Sequence, residues 1–69
     1  MDIRKKFGQN ICRLRIQRKL TQEQLCEAAD MDRSYLQRLE KGTSNPSLKV
    51  TLKLKTALRC SWEELTRGL

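Results

Sequence analysis

The spacing of small and apolar residues between Gln22 and Lys41 constrains this chain more than any other feature. Leu25, Cys26, Ala29, Met31, Leu36 and Leu39 fall where two short helices, crossing at a steep angle, must bury all six positions against each other. About four residues remain for the turn between them. The other positions are polar, and the second helix exposes Arg33, Ser34, Gln37 and Arg38 on its outer side. That side-chain set suits the reading of base edges in a nucleic-acid groove.

The flanking sequence supplies further helices. Ile3, Phe7, Ile11 and Leu14 repeat at intervals of four, four and three, predicting an amphipathic helix from about Asp2 to Arg18. Gly8 interrupts it at a point of close packing. Thr21 with Gln24 forms a capping box that opens a second helix ending near Ala29. Asp30 suits a left-handed turn position, because Asp and Asn tolerate that backbone better than other side chains. Asp32 reads as the N-cap of a third helix over Arg33 to Glu40, with Gly42 as its stop.

Thr43 to Pro46 reads as loop, with Asn45 and Pro46 as N-cap and first residue of a fourth helix ending at Leu58. Val50, Leu52 and Leu54 alternate with polar residues as in a strand, but a lone strand has no partner, so helix is expected. Ser61 and Glu64 form another capping box, opening a fifth helix with Trp62 and Leu65 facing inward. Three glycines, one proline and few β-branched residues agree with an all-α chain. The expectation is a compact five-helix fold, a single domain over residues 1–69.

The charge distribution narrows the partner. The chain carries a formal charge of +7, yet residues 20–40 hold two basic residues against five acids, while residues 1–19 hold seven against one. Residues 41–69 hold six against two. Basic flanks around a net acidic centre fit a protein that grips phosphates at its edges and discriminates in the middle. No apolar run reaches the roughly 18 residues of a membrane span, and the start lacks a signal-peptide pattern. A soluble cytoplasmic protein, bacterial or phage-encoded, is expected. Cys12, Cys26 and Cys60 are odd in number and widely spaced, in a chain without histidine. No zinc site, other metal or disulfide framework is expected from them. Cys26 and Cys60 read as small core residues, and Cys12 as partly exposed.

From Phe7 to Leu65 the chain resembles the five-helix, helix-turn-helix DNA-binding domain of Cro and lambdoid repressors, the xenobiotic-response-element-type regulators. The resemblance rests on Ile11, Leu14 and Arg15, on Leu20-Thr21-Gln22-Glu23-Gln24-Leu25, on Leu39-Glu40-Lys41-Gly42, on Asn45-Pro46-Ser47 and on Ala57-Leu58. The segment Met31 to Leu36 is similar to the controller proteins of restriction–modification systems. Cys26 replaces a usual alanine, Asp30 a frequent glycine, and Thr51 and Lys55 occupy usually apolar positions. Lys55 fits there if its stem lies on the core and its amine reaches water.

The resemblance implies a sequence-specific transcriptional regulator of double-stranded DNA, with the third helix in the major groove of a palindromic operator. Arg33 is the leading base reader, with Ser34 and Gln37 on the same face; Arg38 is either a second guanine reader or a phosphate clamp. Gln22 and the stretch of Thr43, Ser44, Asn45 and Ser47 are implied phosphate contacts. Lys41 and Arg18 add charge, and Tyr35 either flanks the DNA backbone or covers the domain edge. Arg15 is expected to pair with Glu40 as a structural ion pair rather than to touch DNA. A homodimer is expected, with Trp62, Leu65 and Leu69 as interface candidates, although Trp62 equally fits a role in closing the core. No cofactor and no small-molecule ligand are expected. An antitoxin, or a protein-interaction module of the same fold, is the competing reading. No enzyme is expected, since the sequence has no histidine, no metal-ligand cluster, no glycine-rich phosphate loop and too little length for a deep cleft.

Overall fold

A computed structural model describes residues 2–69 as five helices. They are α1 (Ile3–Gln17), α2 (Gln22–Ala29), α3 (Arg33–Lys41), α4 (Leu48–Leu58) and α5 (Trp62–Leu65). Helix α1 packs on α3, α4 and α5, while α2 packs on α3 and α4. The core draws Phe7, Ile11 and Leu14 from α1, Leu25 and Cys26 from α2, and Leu36 and Leu39 from α3. Leu54 and Leu58 of α4, Cys60 and Leu65 complete it. Burial holds the thiols of Cys26 and Cys60 above the usual thiol range, so both stay protonated.

Local chemistry sets the helix starts. Asp2 caps α1 by accepting from the Arg4 amide at 3.0 Å. Thr21 and Gln24 complete a reciprocal box at the start of α2, with bonds of 3.0 and 2.8 Å. Ser61 and Glu64 repeat it at α5, both at 3.0 Å. Asp32 stands at the N-cap of α3 with extended backbone, but its side chain makes no capping bond.

The four longer helices end alike. In each, a left-handed residue reverses the chain and the next amide donates back five residues. These bonds are Leu20 to the Arg15 carbonyl at 3.0 Å, Met31 to Cys26 at 3.0 Å, Thr43 to Arg38 at 3.0 Å and Cys60 to Lys55 at 3.3 Å. Lys19, Asp30 and Arg59 adopt positive φ of 58°, 53° and 52° without being glycine. Leu20, Met31 and Cys60, the residues after them, are apolar and turn back onto the core, which offsets the backbone cost. Only Gly42, with φ 81°, is also sterically required, since a Cβ there would lie 2.6 Å from Lys5 Cα.

Helix α4 begins two residues later than Asn45 and Pro46 suggest, at Leu48. Ser47 is the cap, its hydroxyl accepting from the Val50 amide at 3.1 Å, and Pro46 stays in the preceding loop. The strand-like alternation dissolves in three dimensions. Leu54 and Leu58 are buried and Val50 half-buried, one turn apart, while Leu48 and Leu52 lie on the outer side, 74% and 47% exposed. Thr51 is accommodated by donating to the Ser47 carbonyl at 2.9 Å. Lys55 is half-buried and carries its ammonium 5.4 Å from the centre of the Trp62 ring.

Trp62 does not face inward; it is 43% exposed, and Leu65 alone carries α5 into the core. Asn10, which the spacing of α1 gives no reason to single out, is fully buried. It donates to the carbonyls of Leu65 and Arg67, both at 2.9 Å, and accepts from Arg13 at 2.8 Å. These bonds satisfy the open end of the four-residue α5. Arg18 does the same for α4, donating to Leu58 at 2.9 Å and Arg59 at 3.2 Å, so its guanidinium is committed to the fold.

Gly8 faces the end of α3. A Cβ there would lie 2.8 Å from the Glu40 carbonyl oxygen and closer still to that of Leu39. Alanine would favour the helix by roughly 1 kcal/mol, but neither carbonyl can rotate away. Forcing α1 and α3 apart costs about 1–3 kcal/mol. Gly8→Ala is therefore expected to lower the thermal midpoint; an increase would show that the two helices separate freely.

Candidate nucleic-acid interface

Helix α3 is held from behind by Leu36 and Leu39, both essentially without exposure. Its opposite side presents Arg33, Ser34, Gln37 and Arg38, all exposed. Intervals of three and four residues put them on one face. Arg33 makes no ion pair among the described residues. It stands at the first position of α3, whose first turn holds no acid, so the helix dipole opposes its charge. A cation kept there at a cost to the helix points outward, to an anion or an acceptor elsewhere.

Tyr35 is half-buried against the core, and the Arg38 guanidinium lies 5.6 Å from the centre of its ring. The ring thus steadies Arg38 along the outer face. A shallow hollow beside α3 is rimmed by Glu23, Glu27, Asp30 and Asp32 together with Arg33 and Arg38. Four carboxylates around two guanidinium groups weaken indiscriminate attraction to phosphate on this side.

The other candidate contacts lie at the ends of elements. Gln22 is the first residue of α2, where amides lack helical partners. Lys41 closes α3 and is exposed; Thr43 follows the Gly42 turn, its hydroxyl donating to the Arg38 carbonyl at 3.2 Å. Ser44 is half-buried and Asn45 exposed in the loop, and Ser47 is exposed and caps α4 by accepting from the Val50 amide.

Behind this surface lies an ion pair. Arg15 Nε donates to Glu40 Oε2 at 2.8 Å and Nη2 to Oε1 at 3.4 Å, with the side chains 14% and 9% exposed. Arg15 Nη1 also donates to the Leu20 carbonyl at 2.9 Å. The carboxylate raises the arginine's already high pKa, and the pair ties α1 to the end of α3. Sequence spacing gives no hint that Gln22 joins it: its Nε2 donates to Glu40 Oε1 at 3.1 Å.

A short helix seated on its neighbour, with a polar outer face and basic flanks, defines a helix-turn-helix protein. Residues 13–65 match the helix-turn-helix family, and the chain belongs to it. It is 40% identical over 65 residues to an uncharacterized HTH-type transcriptional regulator, y4dJ, of Sinorhizobium fredii, covering 94% of this chain and 84% of that protein. It is also 54% identical over 41 residues to the immunity repressor protein of Bacillus phage phi105, a match of 59% of this chain but only 28% of the repressor. Among solved structures, the restriction-modification controller protein C.AhdI from Aeromonas hydrophila superposes with a TM-score of 0.84 at 44% identity, covering 88% of this chain and 92% of that one. The resemblance to Cro-type regulators and controller proteins drawn from sequence is therefore correct. The chain is a helix-turn-helix transcriptional regulator and not an enzyme. No helix among the described residues is long and apolar enough to cross a membrane.

Proposed function

We propose that this regulator binds palindromic operator DNA as a homodimer, inside a bacterial cell, as a restriction–modification controller or a phage-type repressor. The observation that carries the reading is the exposed face of α3, Arg33, Ser34, Gln37 and Arg38, on a helix fixed from behind by Leu36, Leu39 and the Arg15–Glu40 pair. In this reading α3 lies in the major groove and Arg33 donates two parallel hydrogen bonds to guanine O6 and N7. Ser34 and Gln37 read neighbouring edges, and Arg38 reads a second base or clamps a phosphate. Gln22, Tyr35, Lys41, Thr43, Ser44, Asn45 and Ser47 contact the sugar–phosphate backbone and set the register.

The dimer contact is assigned to Trp62 and Leu69, 43% and 47% exposed at one end of the chain. Leu65, the third candidate from sequence, is dropped: it is fully buried in its own core and leaves no surface for a second copy.

Selection of bound fragments from random duplex DNA, followed by footprinting, tests the proposal. Two related half-sites about 34 Å apart are expected. With about 6–10 phosphate contacts, affinity should fall roughly 10³–10⁵-fold between 50 and 200 mM salt. Recovery of single unpaired half-sites, or no enrichment, would overturn it.

A further inference from the structure

Three elements meet at the carboxylate of Glu40. Arg15 of α1 gives it two hydrogen bonds, at 2.8 and 3.4 Å, and Gln22 of α2 gives a third, at 3.1 Å. The arginine alone neutralises the charge, so the glutamine bond is not needed for pairing. Its effect falls on the glutamine. A carboxylate only accepts, so the Gln22 amide must turn its nitrogen toward Glu40, and one of its two N–H bonds is used there. Among the described residues the second N–H has no partner, and it lies at the start of the eight-residue α2, where Thr21 takes up only the Gln24 amide. An anion arriving at that helix end then meets donors from backbone and side chain together. An unrestrained amide presents its oxygen to the same anion in half of its orientations, and that repels.

We propose that Glu40 is a positioning residue for DNA binding: it holds the Gln22 amide with a free N–H toward a backbone phosphate. The inference rests on the reading of Gln22 as a phosphate contact given above. Because Glu40 also ends the buried face of α3, one carboxylate sets both the phosphate clamp and the placement of the helix that enters the groove.

A double-mutant cycle tests this, using the duplex recovered by the selection above and the proteins Gln22→Ala, Glu40→Gln and the double variant. Glu40→Gln keeps the shape and one oxygen for Arg15 but no longer dictates which way the Gln22 amide faces. Gln22→Ala is expected to weaken binding about tenfold per half-site in the native background, about a hundredfold for the dimer, the scale of one hydrogen bond to a charged acceptor in each copy. In the Glu40→Gln background the same change should cost no more than about twofold per half-site. Equal losses in both backgrounds overturn the positioning role while leaving Gln22 a contact. No loss in the native background overturns the contact reading and the positioning role with it. Should Glu40→Gln fail to fold, the side-chain amide protons of Gln22 in the native protein decide by NMR. One is expected to be shifted before DNA is added and only the other to move on binding; movement of both alike overturns the proposal.

Discussion

Arg15→Ala should unfold at a markedly lower temperature than the native protein while its binding to DNA keeps nearly the same dependence on salt. Both partners of the Arg15–Glu40 pair are largely buried, 14% and 9% exposed, and the guanidinium also satisfies the Leu20 carbonyl. Removing it leaves a carboxylate in the interior with Gln22 as its one remaining donor. Breaking such a pair costs about 3–5 kcal/mol. At roughly 4–8 °C per kcal/mol for a chain of this size, the fall is large enough to read by circular dichroism. A residue that touched phosphate would instead lower the salt slope by about 1 per copy, about 2 for a dimer. A small thermal change with a clear loss of slope would reverse the assignment and place Arg15 on the DNA.

Arg33→Ala should do the opposite. The side chain is exposed and makes no ion pair among the described residues, so no stabilising contact is lost with it. Its charge opposes the dipole of α3, and its removal is expected to leave the thermal midpoint unchanged or raise it slightly. Binding should suffer. One bidentate contact to guanine discriminates by about 1–3 kcal/mol, and a dimer makes two, for a combined loss of roughly 30-fold to 10⁴-fold at the operator. Binding to unrelated duplex should change far less, because that depends mainly on phosphate contacts. Titration of both duplexes at fixed salt separates the cases; equal losses on both would reduce Arg33 to a phosphate contact.

The two variants divide the molecule along a line already visible in the sequence. The apolar positions that fix α2 and α3 are contiguous and strongly periodic, so Leu25, Leu36 and Leu39 identify the inside and Arg33 and Gln37 the outside. Capping chemistry was as plain at Thr21 and Ser61, where donor and acceptor lie three residues apart. It was ambiguous before α4, because Asn45-Pro46 and Ser47 both fit a helix start and only the backbone decides between them. Lys19 and Arg59 carry left-handed turns without glycine, since the driving force is the apolar residue that follows each.

Contacts between distant elements were the least legible. Nothing local marks Asn10 as the partner of the Leu65 carbonyl at the end of α5 and of the Arg67 carbonyl after it, or Arg18 as the partner of the end of α4. Trp62 was misread because a large aromatic near a short helix suggests core. Here Leu65 fills that place and the indole lies outside under Lys55.

The proposed reading of the operator depends above all on Arg33 meeting guanine in the major groove. Replacing the guanines of the selected operator one at a time by 7-deazaguanine removes the N7 acceptor and leaves pairing intact. At one position in each half-site the native protein should lose affinity while Arg33→Ala shows no further loss. Native binding indifferent to every such replacement, or equal sensitivity in the variant, would contradict it.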